Sequence, residues 1–341
     1  MSTTVRDRAE LILDVSASLP FDEAISLAAS VHLPDNAAEP PCAMLICWPG
    51  GSSARAYWDM QIPRHDGYSF AEHMTAQGYV VVACDHLGVG ASGKPAEGDR
   101  VNFETMSAAA ASLVVQVRTL LAEGAPELGG LPSPVVPVIG VGHSLGAALT
   151  AATQARHRCY DAVALLGFTH GSKELAVSAV GAAEAGPDAD ADAKRQTATE
   201  QARAFFEDTW DDVYAFAARE PNHGWLHRPD VPLEVIAADD AEAVRWPRQA
   251  YVEALLAGYT ARFASELECP VFVGFGDHDV PPIPHADVAF YTSSHDVTFY
   301  VLRNSAHCHN CATTRAELWD RIGQWASHQG PVRRPRRAGS T

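Results

Sequence analysis

Residues Val135–Thr150 read VVPVIGVGHSLGAALT. A β-branched apolar run ends in Gly142-His143-Ser144-Leu145-Gly146, and a stretch of small residues follows at once. The pattern predicts a strand, a sharp turn and a helix, with Ser144 at the corner. Glycine on both sides of a G-x-S-x-G turn lets strand and helix pack closely, while the serine takes a strained backbone conformation that lifts its hydroxyl clear of the sheet. The amide of Leu145 then lies at a helix N-terminus, where it can donate to an oxyanion that develops on a substrate. The five residues alone arise by chance in about one chain of this length in ten. The strand before them and the helix after them are what separate this turn from an ordinary loop that contains a serine.

Working outward, apolar runs at Ile25–Leu33, Cys42–Trp48, Tyr79–Cys84, Asp161–Phe168, Cys269–Gly276 and Asp296–Leu302 read as further strands. Helical patterns lie between them at Phe70–Gln77, Phe103–Glu123 and around Ala286–Tyr291, and Thr313–Gln329 closes the chain. Such alternation predicts an α/β fold: a mostly parallel central sheet flanked by helices. It stops between Gly171 and Glu266, where helical spacing and the aromatics Phe205, Phe206, Trp210, Tyr214, Trp225, Trp246 and Tyr251 dominate. The expected organisation is a core of residues 1–170 and 267–330, a helical insertion over 171–266, and a Pro- and Arg-rich tail, 331–341, expected to be disordered.

The 341 residues suffice for one large domain with an insertion. Their formal net charge of −17 argues against a nucleic-acid partner and against anionic membrane surfaces. No apolar run is expected to span a membrane. The N-terminus lacks a basic region followed by a long apolar core, so a cytoplasmic protein is the default expectation. Seven cysteines form no disulfide framework. His307-Cys308-His309-Asn310-Cys311 suggests a metal site, but no second Cys/His pair stands at zinc-finger spacing, so neither metal nor organic cofactor is expected. The oligomeric state is not legible.

Three residues fall just after the ends of three of these strands, in the order Ser144, Asp279, His307. A serine hydroxyl is a weak nucleophile at neutral pH. It needs an imidazole to take its proton, and the imidazole needs a carboxylate to fix its tautomer. In open α/β sheets the ligand site lies at the carboxyl ends of the strands, where all three stand.

The chain resembles the α/β-hydrolase superfamily over roughly Ile25–Gln329. The resemblance rests on Gly142–Gly146, on Gly276-Asp277-His278-Asp279 after a penultimate strand, on His307 after the last, and on the glycine-rich turn Asp85–Ser92. It implies Ser144 as nucleophile, His307 as base and Asp279 as its orienting acid. It also implies an oxyanion hole from the Gly51 and Leu145 amides. Many members carry His-Gly before the oxyanion turn where this chain has Pro49-Gly50-Gly51, and Ser52 is the alternative donor. Asp277 and His309 are the rivals for the acid and the base. His143 reads as a packing residue or pocket wall, and the insertion falls where the family places a cap.

The resemblance implies a serine hydrolase that cleaves an ester, lactone or thioester of a small, neutral, moderately apolar substrate. Acyl transfer or carbon–carbon bond hydrolysis would use the same three residues. A ligand-binding protein that keeps this fold is the reading from outside enzymes. The acidic insertion, Glu184 to Glu220, is expected to place a negative field over the entrance.

Overall fold

The computed structural model describes residues 8–34, 41–128, 136–171, 189–281 and 283–330. The basic tail and the first part of the acidic insertion, including Glu184 and Asp188, lie outside them. In chain order the strands are β1 (Arg8–Asp14), β2 (Ser26–His32), β3 (Met44–Trp48), β4 (Val80–Cys84), β5 (Val138–His143), β6 (Ala162–Leu166), β7 (Tyr214–Ala215), β8 (Trp246–Pro247), β9 (Val271–Gly276) and β10 (Val297–Leu302). The helices are α1 (Phe70–Ala76), α2 (Phe103–Glu123), α3 (Leu145–His157), α4 (Ala191–Phe206), α5 (His223–Leu226), α6 (Leu233–Ala241), α7 (Arg248–Leu255), α8 (Ala261–Ser265) and α9 (Arg315–Ala326).

Eight strands form one sheet in the order β1-β2-β4-β3-β5-β6-β9-β10. From β4 to β10 every pairing is parallel, and β2 runs antiparallel to both its neighbours. The inner strands are buried on both faces, which is why they read as unbroken apolar runs. Their side chains still alternate. Met44, Ile46 and Trp48 join the core beneath α2 and α3, while Leu45 and Cys47 join the one beneath α1 and α9.

Two expectations change. Strand β1 was not foreseen: only Leu11 and Leu13 of RAELILD turn inward, too short an alternation to stand out. Around residue 286 the chain forms a 3-10 stretch, Pro284–Phe290, in place of an α-helix. In addition, α2 is long and apolar enough to cross a bilayer by length and composition alone, contrary to the expectation of no such run. More than half of its most apolar window is buried, and its ends are fixed by an Asn102–Thr105 capping box and by Gly124 in the left-handed region.

The site follows from the strand order. The chain leaves β3 for β4 on one side and later enters β5 on the other, so the loops after β3 and β5 diverge at a topological switch point. The segment from α4 to α8 lies between β6 and β9 in the chain and packs over the stretches that follow β3 and β4. The Trp246 indole donates to the Ser53 carbonyl (2.9 Å), the Tyr214 hydroxyl to the Pro95 carbonyl (2.7 Å), and Glu253 accepts from the Phe103 amide at the start of α2 (2.7 Å).

Candidate active site

The turn after β5 is tight for an identifiable reason. A Cβ on Gly142 would overlap the Gly146 carbonyl and Ala147 Cα, and one on Gly146 would overlap the carbonyls of Trp48 and Pro49. Strand, helix and the end of β3 therefore meet with no room for a side chain at either glycine. Ser144 sits between them at φ 52°, ψ −125°, a conformation that non-glycine residues rarely adopt. Its amide is tied to the Leu166 carbonyl at 2.7 Å, which holds the strained residue on β6.

The loops after β9 and β10 bring two further predicted residues to it. His307 Nε2 lies 2.9 Å from Ser144 Oγ, and His307 Nδ1 lies 2.7 Å from Asp279 Oδ1. The Asp279 side chain is fully buried. Burial opposes its charge, but the His307 and His309 imidazoles outweigh burial and hold its pKa well below the ordinary range. An ionised Asp279 accepts from His307 Nδ1–H, which leaves Nε2 to accept from the serine hydroxyl. Residues 307 and 308 are pinned from the insertion: their amides donate to the Trp225 and Leu226 carbonyls at 3.1 and 2.9 Å.

The rivals have other places. Asp277 accepts the Asn304 and Ser305 amides (2.9 and 3.0 Å), so it holds the turn that leads to His307 and stands outside the Ser–His–Asp chain. His309 is buried with Nε2 2.7 Å from Asp279 Oδ2. It is no solvated loop residue: it shares the Asp279 carboxylate with His307, and the contact with Ser144 Oγ is made by His307 Nε2. His143 is buried, stacked on Tyr57, and 2.8 Å from the His307 carbonyl. Burial, helped by the neighbouring histidines, depresses its pKa strongly, so a neutral imidazole donates there.

On the β3 side, Gly50 packs against the elbow: a Cβ there would stand 3.0 Å from Ser144 Cβ. Neither the Gly51 nor the Leu145 amide has a hydrogen-bond acceptor among the described residues, and both residues line the cavity over Ser144. His86, caught between Trp48 and Trp246, lies 3.1 Å from the Pro49 carbonyl, and burial lowers its pKa to about 3. From the insertion, buried Arg219 reaches the Ser52 carbonyl (3.1 Å) and the Ser53 hydroxyl (2.6 Å), and it pairs with Asp239.

The cavity measures about 470 Å³. One face of α4 (Thr197, Ala198, Gln201, Phe205) and one of α7 (Tyr251, Ala254, Leu255) form much of its wall, with Phe168 and Trp225 beside them. No carboxylate lines it among the described residues. Many described acids of the insertion, among them Asp190, Glu200, Asp211 and Glu220, are exposed on its surface, while Asp239 and Glu253 are buried and partnered. His227, Asp239 and Cys308 come close enough together to hold a metal ion, but the Arg219 guanidinium already neutralises Asp239. Of the residues that build this site, Arg219 and Tyr251 carried no motif in the sequence, and His86 lay inside the Asp85–Ser92 turn without being singled out for a role.

The sequence profile described as alpha/beta hydrolase family matches residues 45–312. No curated protein gives a significant match. Among solved structures, a thermophilic esterase from Thermogutta terrifontis is similar at TM-score 0.58 and 14% identity, covering 93% of this chain and 97% of that one. A bromoperoxidase from Bacillus anthracis is similar at TM-score 0.59 and 15% identity, with coverages of 93% and 99%. Est1E from Butyrivibrio proteoclasticus, solved with ferulic acid bound, is similar at TM-score 0.54 and 16% identity, with coverages of 94% and 98%. At such identities the likeness is one of fold.

Proposed function

Since the chain belongs to the alpha/beta hydrolase family, with its oxyanion loop, serine elbow and His307 all inside the matched region, we propose that it is a serine hydrolase acting on an ester, lactone or thioester. The observation that carries this reading is the continuous Ser144–His307–Asp279 hydrogen-bonded chain, open to a cavity that two acceptor-free amides also line. Ser144 Oγ attacks the carbonyl carbon while His307 Nε2 takes its proton. The tetrahedral oxyanion is held by the Gly51 and Leu145 amides. His307 then returns the proton to the leaving alcohol or thiol, and the carbonyl re-forms as the acyl-enzyme. Water, deprotonated by His307, attacks the acyl carbon. Collapse expels Ser144, which recovers the proton, and frees the acid. Asp279 stays ionised throughout.

The insertion acts as a cap in this reading, and its α4 and α7 faces bind the acyl group. Their side chains are mostly apolar, which favours a neutral, moderately apolar substrate over a strongly charged one.

The test is a fluorophosphonate probe together with a screen over acyl-chain length and ring lactones. Ser144 should be labelled, and Ser144→Ala should stay folded yet lose turnover down to a residual rate of about 10³–10⁴ over water. Nucleophile and base act as a unit, so Ser144→Ala/His307→Ala should be little worse than either single variant. Near wild-type turnover in Ser144→Ala would sink the proposal. A protein that binds these esters without labelling or turnover would be a binding protein on this fold.

A further inference from the structure

We propose that Tyr251 is a further catalytic residue, whose hydroxyl donates a third hydrogen bond to the substrate's carbonyl oxygen as negative charge develops there. This rests on the serine-hydrolase reading above and assigns a cap side chain to the oxyanion site of the same reaction.

The first observation is one of space. Gly51 carries no side chain, and the Tyr251 hydroxyl stands where a Cβ at that position would be. The phenol from α7 thus fills the space a residue-51 side chain would take, directly against the oxyanion loop. The second observation is a proton count. The Tyr251 hydroxyl lies 3.0 Å from Ser52 Oγ, and either can donate. Two hydroxyls carry two protons, and their mutual contact uses one. Among the described residues neither oxygen has another partner, and both residues line the cavity over Ser144. One O–H therefore needs an acceptor from the cavity's contents.

The phenol is the better placed donor. Burial pushes its pKa up, so it stays protonated through the working pH range. Its ring is wedged against Phe205 and Phe206, with centroids 5.1 and 4.6 Å away. Ser52 is itself held in the left-handed region at φ 61°, and its carbonyl accepts from Arg219 and from the Val244 amide (both 3.1 Å). A fixed Ser52 donating to the phenolic oxygen leaves the phenolic proton for the substrate. A donor fixed before charge appears costs no reorganisation at the moment of reaction, which is what makes oxyanion donors effective.

The rival role is a latch, in which Tyr251 only ties the oxyanion loop to the cap through Ser52. The experiment compares Tyr251→Phe and Ser52→Ala with the wild type, using the best ester from the screen and a boronic acid that mimics the tetrahedral intermediate. If Tyr251 donates, Tyr251→Phe lowers kcat on the order of 10²-fold with KM little changed. Boronate affinity falls in proportion, and Ser52→Ala, which keeps the phenol, loses less on both measures. Turnover of Tyr251→Phe within about twofold of wild type would overturn the inference. So would equal losses in the two variants together with equal drops in Tm, which is the latch. Because Ser144 labelling and Ser144-dependent turnover are read on the same preparations, an inert Tyr251 in an active serine hydrolase overturns this inference alone. Absence of that turnover removes both proposals.

Discussion

At the scale of single residues, Asp279 serves two imidazoles, one on each oxygen: His307 on Oδ1 and His309 on Oδ2. Position after the last strand separates these histidines, but it does not reveal that they converge on one carboxylate. His309 touches no substrate in the proposed reaction. In that reading it joins the Gly276 and Val280 amides in fixing the rotation of the carboxylate that orients His307. His309→Ala should therefore lower kcat about tenfold to a hundredfold with KM unchanged, and His309→Gln, which keeps a donor, should recover part of it. His307→Ala should cost on the order of 10⁴ or more. Steady-state kinetics of the three variants checks this, and a His309→Ala as inactive as His307→Ala would reverse the two roles. His86 gives a pH-dependent prediction. Its folded pKa of about 3 lies below the ordinary 6.5, so the unfolded chain binds the extra proton. The contribution is complete above about pH 6.5 and is lost as pH falls toward the folded value, about 2 kcal/mol by pH 5. Between pH 7.5 and 5, Tm should fall further in the wild type than in His86→Gln.

At the scale of elements, the turn after β5 was legible because its constraints are local. Two glycines, a β-branched strand and a small-residue helix state their geometry within sixteen residues, and the structure adds only what each glycine avoids. Gly146→Ala should cost about 3 kcal/mol in urea unfolding, since its Cβ would enter the Trp48 and Pro49 carbonyls. The loop after β9 was legible by spacing, yet Asp277 is more than a bystander. It accepts two amides from the turn that carries His307, and Asn offers a single acceptor oxygen. Asp277→Asn should lower stability by about 1–2 kcal/mol and kcat by a smaller factor than Asp279→Asn. What stayed illegible are the contacts between the insertion and the oxyanion loop. Arg219 to Ser52 and Ser53, and Tyr251 to Ser52, join positions more than 160 residues apart. No local period encodes such a pairing, and in sequence these residues look like any other members of a helical, aromatic segment.

At the scale of the whole molecule, two electrostatic ranges oppose one another. The chain carries a formal net charge of −17, while the cavity wall holds no carboxylate among the described residues. Its charged members are Lys194 and an Arg219 already paired with Asp239. The exposed acids of the insertion add to the chain's negative field, while the cavity wall offers mostly apolar contact. Their repulsion of an anionic substrate acts on encounter and is screened over about 8 Å at physiological ionic strength. Fit to the wall acts after entry and is insensitive to salt. For two thioesters with the same acyl group, one neutral and one of coenzyme A, the neutral form should have the higher kcat/KM at low salt. The gap should narrow as salt rises, through the coenzyme A thioester speeding up while the neutral one holds still. Equal salt slopes would place the discrimination in the cavity itself. A preference for the coenzyme A form at both salts would mean that a cationic surface near the entrance outweighs the net charge, and would reverse the proposed substrate class.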